Sequence, residues 1–158
     1  MNWIYILLFA INLGTATSYL LTDSLFFDAY YSESLSKIDG ALERLEASDL
    51  SLLKNKAFRA TLQMKKSGFM KTPLQKIKLF KEGCRELEAV IESAPSEVLY
   101  RFLRLTIQEK APKILKYNSA IEDDANIVRK GYKKLNSVQQ KFVLEYAKQS
   151  TILKQLSP

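Results

Sequence analysis

The chain has 158 residues, of which 47% are apolar and 26% charged, and its net charge is +7. These values are typical of one globular domain, and they exclude both a disordered chain and a polytopic membrane protein. The chain has no histidine and one cysteine, so it lacks the commonest general base and zinc ligand and cannot form an internal disulfide. We therefore expect a protein without a cofactor or a metal ion.

The first predicted element is an N-terminal leader. Residues 3–21 carry no charged side chain, and their apolar run is followed by small and polar residues at positions 14–18. This order is typical of a secretory signal peptide. We expect residues 1–18 to be a signal peptide or membrane anchor and residues 19–158 to form a single helical domain, although a buried first helix of a cytosolic bundle remains an alternative. Export would place the protein in the periplasm or elsewhere in the bacterial cell envelope.

Apolar residues then recur at spacings of three and four, which predicts helices rather than strands. The first helix is expected over residues 23–47, and its apolar face includes Phe26, Tyr30 and Ile38. The second is expected over residues 50–66, ending at Gly68 in a left-handed conformation.

The third helix is predicted to begin at Thr72 and Pro73, which suit the N-cap and the first helical position. Its inward face is expected to comprise Leu74, Ile77, Phe80, Cys84, Leu87 and Ile91. The fourth, over residues 96–109, is apolar on most sides and should therefore be central and buried.

The C-terminal third should add a short turn over residues 112–117 and two further helices. One begins at a predicted capping box formed by Ser119 and Glu122, and the other begins at Asn136. The expected fold class is all-α, with antiparallel helical hairpins in a small bundle.

Two predicted helices on either side of Pro95 share a pattern of small and apolar positions. The residues that carry it are Gly83, Leu87, Val90, Ile91, Pro95, Tyr100, Leu103 and Ile107. Over residues 80–107 this pattern resembles the second helix of one tetratricopeptide (TPR) repeat and the first helix of the next, with Arg104 standing where the family has a small residue. The resemblance implies a TPR-like scaffold that binds a peptide or protein in a groove; an irregular bundle unrelated to that family is the alternative.

Positive charge is concentrated in residues 54–85, which contain ten basic residues and one acidic residue. The segment could be a solvated face that complements its acidic neighbour, or it could bind an anionic partner. The candidate contacts for such a partner are Lys65, Lys66, Lys71, Lys76 and Lys78. An anionic membrane surface or an acidic protein fits an exported chain better than nucleic acid does.

Arg101 and Arg104 are charged residues of the otherwise apolar fourth helix. They must pair with carboxylates such as Glu97 or Glu88, or else line a groove with Tyr100 that binds a carboxylate or phosphate.

Two other constellations are expected to be structural. Glu122, Asp123 and Asp124 lie in a predicted first helical turn, where negative charge interacts favourably with the helix dipole. Because consecutive helical residues point in different directions, the three carboxylates cannot converge on one metal ion. Cys84 lies on an apolar face and is expected to be buried and to contribute to core packing.

These features favour a non-enzymatic, exported helical protein that acts as a binding or scaffold module, with a protein or peptide as its expected partner. One alternative is a peripheral protein whose basic hairpin docks on anionic lipid. Another is an enzyme that uses only carboxylate, lysine and arginine side chains.

Overall fold

The computed structural model describes residues 22–156, and the predicted leader, residues 1–18, lies outside them. All regular secondary structure in the described range is helical, which confirms the all-α class. The α-helices are α1 (residues 22–31), α2 (Leu35–Glu46), α3 (Leu53–Ser67), α4 (Pro73–Ser93), α5 (Val98–Lys110), α6 (Ile121–Gly131) and α7 (Ser137–Ala147), with 3-10 turns at Lys113–Leu115, Tyr132–Lys134 and Lys154–Leu156.

The single first helix predicted over residues 23–47 is wrong, because the chain breaks between α1 and α2. The Ser32 hydroxyl accepts a hydrogen bond from the Ser34 N–H at 3.0 Å, and the Ser34 hydroxyl caps α2 by accepting from the Lys37 N–H. Serine side chains compete in this way with the helical backbone pattern. The predicted apolar face survives the break, since its residues on both helices are buried.

Helices α3 and α4 form an antiparallel hairpin. Arg59 on α3 pairs with Glu86 on α4, while Met64 lies next to Gly83 and Cys84. The approach is close: a Cβ placed on Gly83 would lie 2.6 Å from the Ala60 carbonyl oxygen.

The turn between α3 and α4 runs from Gly68 to Thr72. Thr72 caps α4 as predicted, by accepting from the Gln75 N–H, and Pro73 occupies the first helical position. The left-handed conformation predicted for Gly68 is wrong, because this residue ends α3 with φ −59° in the right-handed region.

The first two turns of α4 extend beyond the end of α3. Because Met64 already faces Gly83, the residues before Phe80 have no turn of α3 beside them. Leu74 is 78% exposed and Ile77 42%, so their predicted inward orientation is wrong, whereas Phe80 and Leu87 are buried as expected.

Helix α5 is central, as predicted: every residue from Val98 to Gln108 except Arg101 is buried. Helix α6 packs antiparallel to it, since Gly131 lies against Val98 while Asp124 reaches Arg104. The predicted capping box of α6 does not form, because the N-cap is Ala120 and makes no side-chain hydrogen bond.

Helices α1 and α7 close the core through aromatic rings. Phe26 stacks on Phe58 at 4.0 Å between centroids, and Phe27 stacks on Phe142 at 3.7 Å. Among the helices within residues 22–156, none has both the length and the apolar character that a bilayer crossing requires.

The buried Asp23 carboxylate ties α1 to α3 and α7. It accepts from the Lys54 ammonium at 2.9 Å, the Asn136 amide at 2.7 Å and the Gln139 amide at 2.9 Å. Asn136 also begins α7 as predicted, in a capping box with Gln139.

Candidate functional site

The guanidinium groups of Arg101 and Arg104 converge on one buried carboxylate, Asp124. Arg104 binds it in a bidentate manner, through Nε to Oδ2 at 2.7 Å and Nη2 to Oδ1 at 2.8 Å, and Arg101 adds a bond of 3.0 Å. Arg104 also donates to Glu88 at 2.6 Å, and Glu88 accepts from the Tyr117 hydroxyl at 2.6 Å. Of the two carboxylate partners predicted from the sequence, Glu88 is therefore confirmed and Glu97 is wrong, since Glu97 pairs with neither arginine; Asp124 is a further partner.

This network keeps the Arg104 guanidinium positively charged. Burial by itself lowers the pKa of Arg104, but the hydrogen bonds and charge of Asp124, with those of Glu88, raise it overall, so the guanidinium is always protonated. Tyr100, the third residue of the predicted groove, is 8% exposed. Because the guanidinium groups are occupied by internal carboxylates, a ligand site at Tyr100, Arg101 and Arg104 stays a prediction.

The five predicted lysine contacts fall into two groups. Lys66 pairs with Asp39 of α2 at 2.7 Å, and Lys65 lies 3.4 Å from Glu33 and over the Tyr30 ring. The other three are exposed, and none of them forms an ion pair within residues 22–156: Lys71, Lys76 and Lys78.

These unpaired lysines belong to one end of the molecule, which we call the basic tip. It is formed by the overhanging turns of α4 and by the chain around the 3-10 turn after α5, which together flank one groove. The residues of the basic tip are the exposed lysines Lys71, Lys76, Lys78, Lys113 and Lys116 and the exposed aliphatic residues Leu74, Ile77 and Ile114. Ile114 is 87% exposed, so it protrudes into solvent.

The groove has a volume of about 660 Å³ and lies between α3, α4 and the segment that follows α5. Its floor is apolar, with Met64, Phe80 and Ile107 almost fully buried. The small residues Ser67 and Ala111 also line it.

The charged residues on the wall of the groove are lysines. None of the lining residues that the structure describes is acidic, and the lysines are Lys65, Lys76, Lys81, Lys110 and Lys116. Burial lowers the pKa of the Lys110 ammonium, and the positive charge of Lys65 lowers it further, against the opposing charges of Glu33 and Glu109. The groove is therefore both apolar and electropositive.

The other two candidate features, the acidic cluster at residues 122–124 and Cys84, have structural roles. Glu122 and Asp123 are exposed while Asp124 binds the two arginines, and no group of three or more His, Cys, Asp or Glu residues within 22–156 is placed to hold a metal ion. Cys84 is half-buried, and burial together with the charge of Glu88 raises its pKa to about 12, so its thiol stays protonated at neutral pH.

Sequence reasoning missed the groove itself. Its walls come from segments far apart in the chain, and its apolar residues have the same helical spacing as core residues. The available signal was a short apolar pair, Ile114 and Leu115, flanked by proline and lysines in residues 112–116.

Comparison with known proteins gave no match: no family model, no curated protein and no solved structure matches this chain. The resemblance to TPR repeats over residues 80–107 therefore stays a prediction, and function has to be argued from the site.

Proposed function

We propose that this chain is a non-enzymatic helical binding protein, exported to the cell envelope, that docks on anionic membrane through the basic tip. The observation that carries this proposal is the exposure of Leu74, Ile77 and Ile114 among lysines that form no ion pair within residues 22–156.

The two kinds of side chain contribute different energies. Each lysine near an anionic bilayer surface adds about 1 kcal/mol of attraction. An aliphatic side chain that enters the interface adds about 25 cal/mol for each Å² that it removes from water. A surface that combines lysines with protruding aliphatic residues has the composition of interfacial membrane-binding segments.

A membrane fits the geometry better than an acidic protein partner does. Leu74 and Ile114 protrude, at 78% and 87% exposure, rather than forming a flat apolar patch. Single protruding side chains can enter a fluid interface, whereas a protein partner would need a matching pocket for each one.

The non-enzymatic part of the proposal is supported by the buried carboxylates. Asp23 is bound by an ammonium and two amides, and Asp124 by two guanidinium groups. Groups held in this way suit a structural role better than proton transfer.

The test is co-sedimentation of the full chain with anionic and zwitterionic vesicles at low and high salt. We expect binding to anionic vesicles that falls as salt rises, because surface charges are screened over about 8–10 Å at physiological ionic strength. The triple variant Lys71→Gln, Lys76→Gln and Lys78→Gln should bind about a hundredfold more weakly, since it loses about 3 kcal/mol of attraction.

A matched variant controls for net charge. Lys130→Gln, Lys133→Gln and Lys134→Gln remove three exposed lysines at the other end of α5 and should leave vesicle binding nearly unchanged. Since the leader is common to both variants, it cannot produce a difference between them. Equal binding of the two triple variants would refute docking through the basic tip, and the absence of binding to any vesicle would favour a protein partner.

A further inference from the structure

We infer that the groove binds a single-chain amphiphile with an anionic head group, of the long-chain carboxylate class. The inference goes beyond membrane docking, because it concerns the capture of one lipid-like molecule by the folded protein. It rests on the volume, the lining and the charge of the groove.

The groove is large enough and apolar enough for a hydrocarbon chain. Its volume of about 660 Å³ lies within the range of about 300–1,000 Å³ that is usual for small-molecule sites. The floor of Met64, Phe80 and Ile107 offers carbon and sulfur surface, and Ala111 fills little of the space above it. A small hydrophilic anion would leave this apolar surface in contact with water.

The wall of the groove selects a negative head group. Lys65 and Lys110 are close enough to repel each other, and each lies over an aromatic ring, Tyr30 at 5.5 Å and Tyr146 at 5.4 Å. Glu33 already lies 3.4 Å from Lys65, and its charge, with that of Glu109, opposes this repulsion. A ligand carboxylate near the two ammonium groups would add to this effect and replace lost hydration. A neutral or cationic head group gains neither effect.

The position of the groove suits a ligand that comes from a bilayer. Ile77 and Ile114 belong both to the groove and to the basic tip. A tip placed in the interface would therefore bring the groove to the level of lipid head groups. Binding of the ligand itself does not require docking, so the two proposals can be tested separately.

The test is titration calorimetry of the full chain, without vesicles, using dodecanoate below its micellar concentration. Methyl dodecanoate keeps the chain but not the charge, and acetate keeps the charge but not the chain. We expect one dodecanoate per protein, with the ester and acetate each binding at least about tenfold more weakly. Equal affinity for dodecanoate and its ester would overturn the anionic specificity, and no dodecanoate binding would overturn the site.

A pair of tryptophan variants locates the ligand. Ala111→Trp should fill the groove and lower the affinity at least about tenfold, whereas Ala89→Trp, on an exposed position of α4 that does not line the groove, should not change it. Unchanged binding by Ala111→Trp would place the ligand elsewhere and refute the inference.

A charge variant gives a second test of the groove that does not depend on the folding of Ala111→Trp. Lys110→Gln combined with Lys65→Gln leaves the volume of the groove nearly unchanged and should abolish the preference for dodecanoate over its ester. A retained preference would refute the role of these two lysines. Binding of dodecanoate without vesicle docking would leave this inference standing and reject the proposed function, and the reverse result would reject only the groove.

Discussion

At the scale of single residues, Asp124 has the largest predicted effect on stability. Its carboxylate is fully buried and is the shared acceptor of Arg101 and Arg104. Asp124→Ala would leave a buried guanidinium short of a counter-charge, which costs about 3–5 kcal/mol in comparable buried pairs. Denaturant melts monitored by circular dichroism should show this loss.

The neighbouring residue is a natural control for this prediction. Asp123→Ala removes the same charge from the same helical turn, but its side chain is exposed, so the change should stay within about 0.5 kcal/mol. Similar losses in both variants would mean that the charge of the turn, and not the buried network, matters for stability.

The sequence contained part of this network. Glu88 was one of two expected partners of the arginines, but Asp124 was assigned, with Glu122 and Asp123, to a first helical turn that interacts with the helix dipole. A closer signal exists, because Asp124 lies four residues before Val128, which is buried, and three after Ile121, which is partly buried, and so shares the inward face of α6. Periodicity can identify a buried charged position, but it cannot say which cation on another helix reaches it.

At the scale of helices, α5 should dominate stability because it is buried on nearly all sides. Leu103 is 1% exposed at its middle, so Leu103→Ala should cost about 2–5 kcal/mol through lost burial and a residual cavity. Leu74→Ala removes the same atoms from the overhang of α4 and should cost less than about 0.5 kcal/mol. The difference between the two denaturation midpoints is the measurement, and equal shifts would contradict both assignments.

The sequence predicted helix ends and helix burial correctly where these depend on residue type and spacing within one helix. The caps at Thr72 and Asn136 and the burial of α5 follow from residue type and spacing. The overhang of α4 does not, because Leu74 and Ile77 have the spacing of an inward face, and only the end of α3 determines that nothing covers them. The break between α1 and α2 was missed for a related reason, since the apolar face continues across it.

At the scale of the whole molecule, the groove depends on how the helix ends are staggered. Met64 on α3, Phe80 on α4 and Ile107 on α5 meet only in the folded chain. Each had a reasonable assignment as core, and all three are indeed nearly buried. The sequence showed the charge of the surroundings: residues 54–85 were identified as a basic segment that is either a solvated face or a contact for an anionic partner, and Lys65, Lys76 and Lys81 of that segment line the groove.

The stability of the whole molecule should fall at alkaline pH because of its buried tyrosines. Burial raises the pKa of Tyr30 and of Tyr100 to about 12, and it raises the pKa of Tyr31, Tyr117 and Tyr146 further. In the unfolded chain a tyrosine loses its proton near pH 10. Above that pH the unfolded state therefore binds fewer protons than the folded state, and the free energy of unfolding decreases as pH rises.

The expected decrease is steep. Each tyrosine that ionises only on unfolding lowers the free energy of unfolding by about 1.4 kcal/mol per pH unit. Several such groups together would cancel the free energy of unfolding of a typical domain, roughly 5–15 kcal/mol, within one or two pH units above 10. Melting temperatures measured from about pH 8 to 11 should be constant at first and then fall. Part of the tyrosinate absorbance should appear only when the helical circular dichroism is lost.

Tyr100→Phe separates this effect from the loss of lysine charge in the same pH range. It removes one ionising hydroxyl and keeps the packed ring, so its alkaline unfolding midpoint should move to higher pH than that of the unmodified chain. The lysines and their ion pairs are the same in both proteins. An unchanged midpoint in the variant would show that the Tyr100 phenol does not contribute to the alkaline transition, and would contradict its part in this prediction.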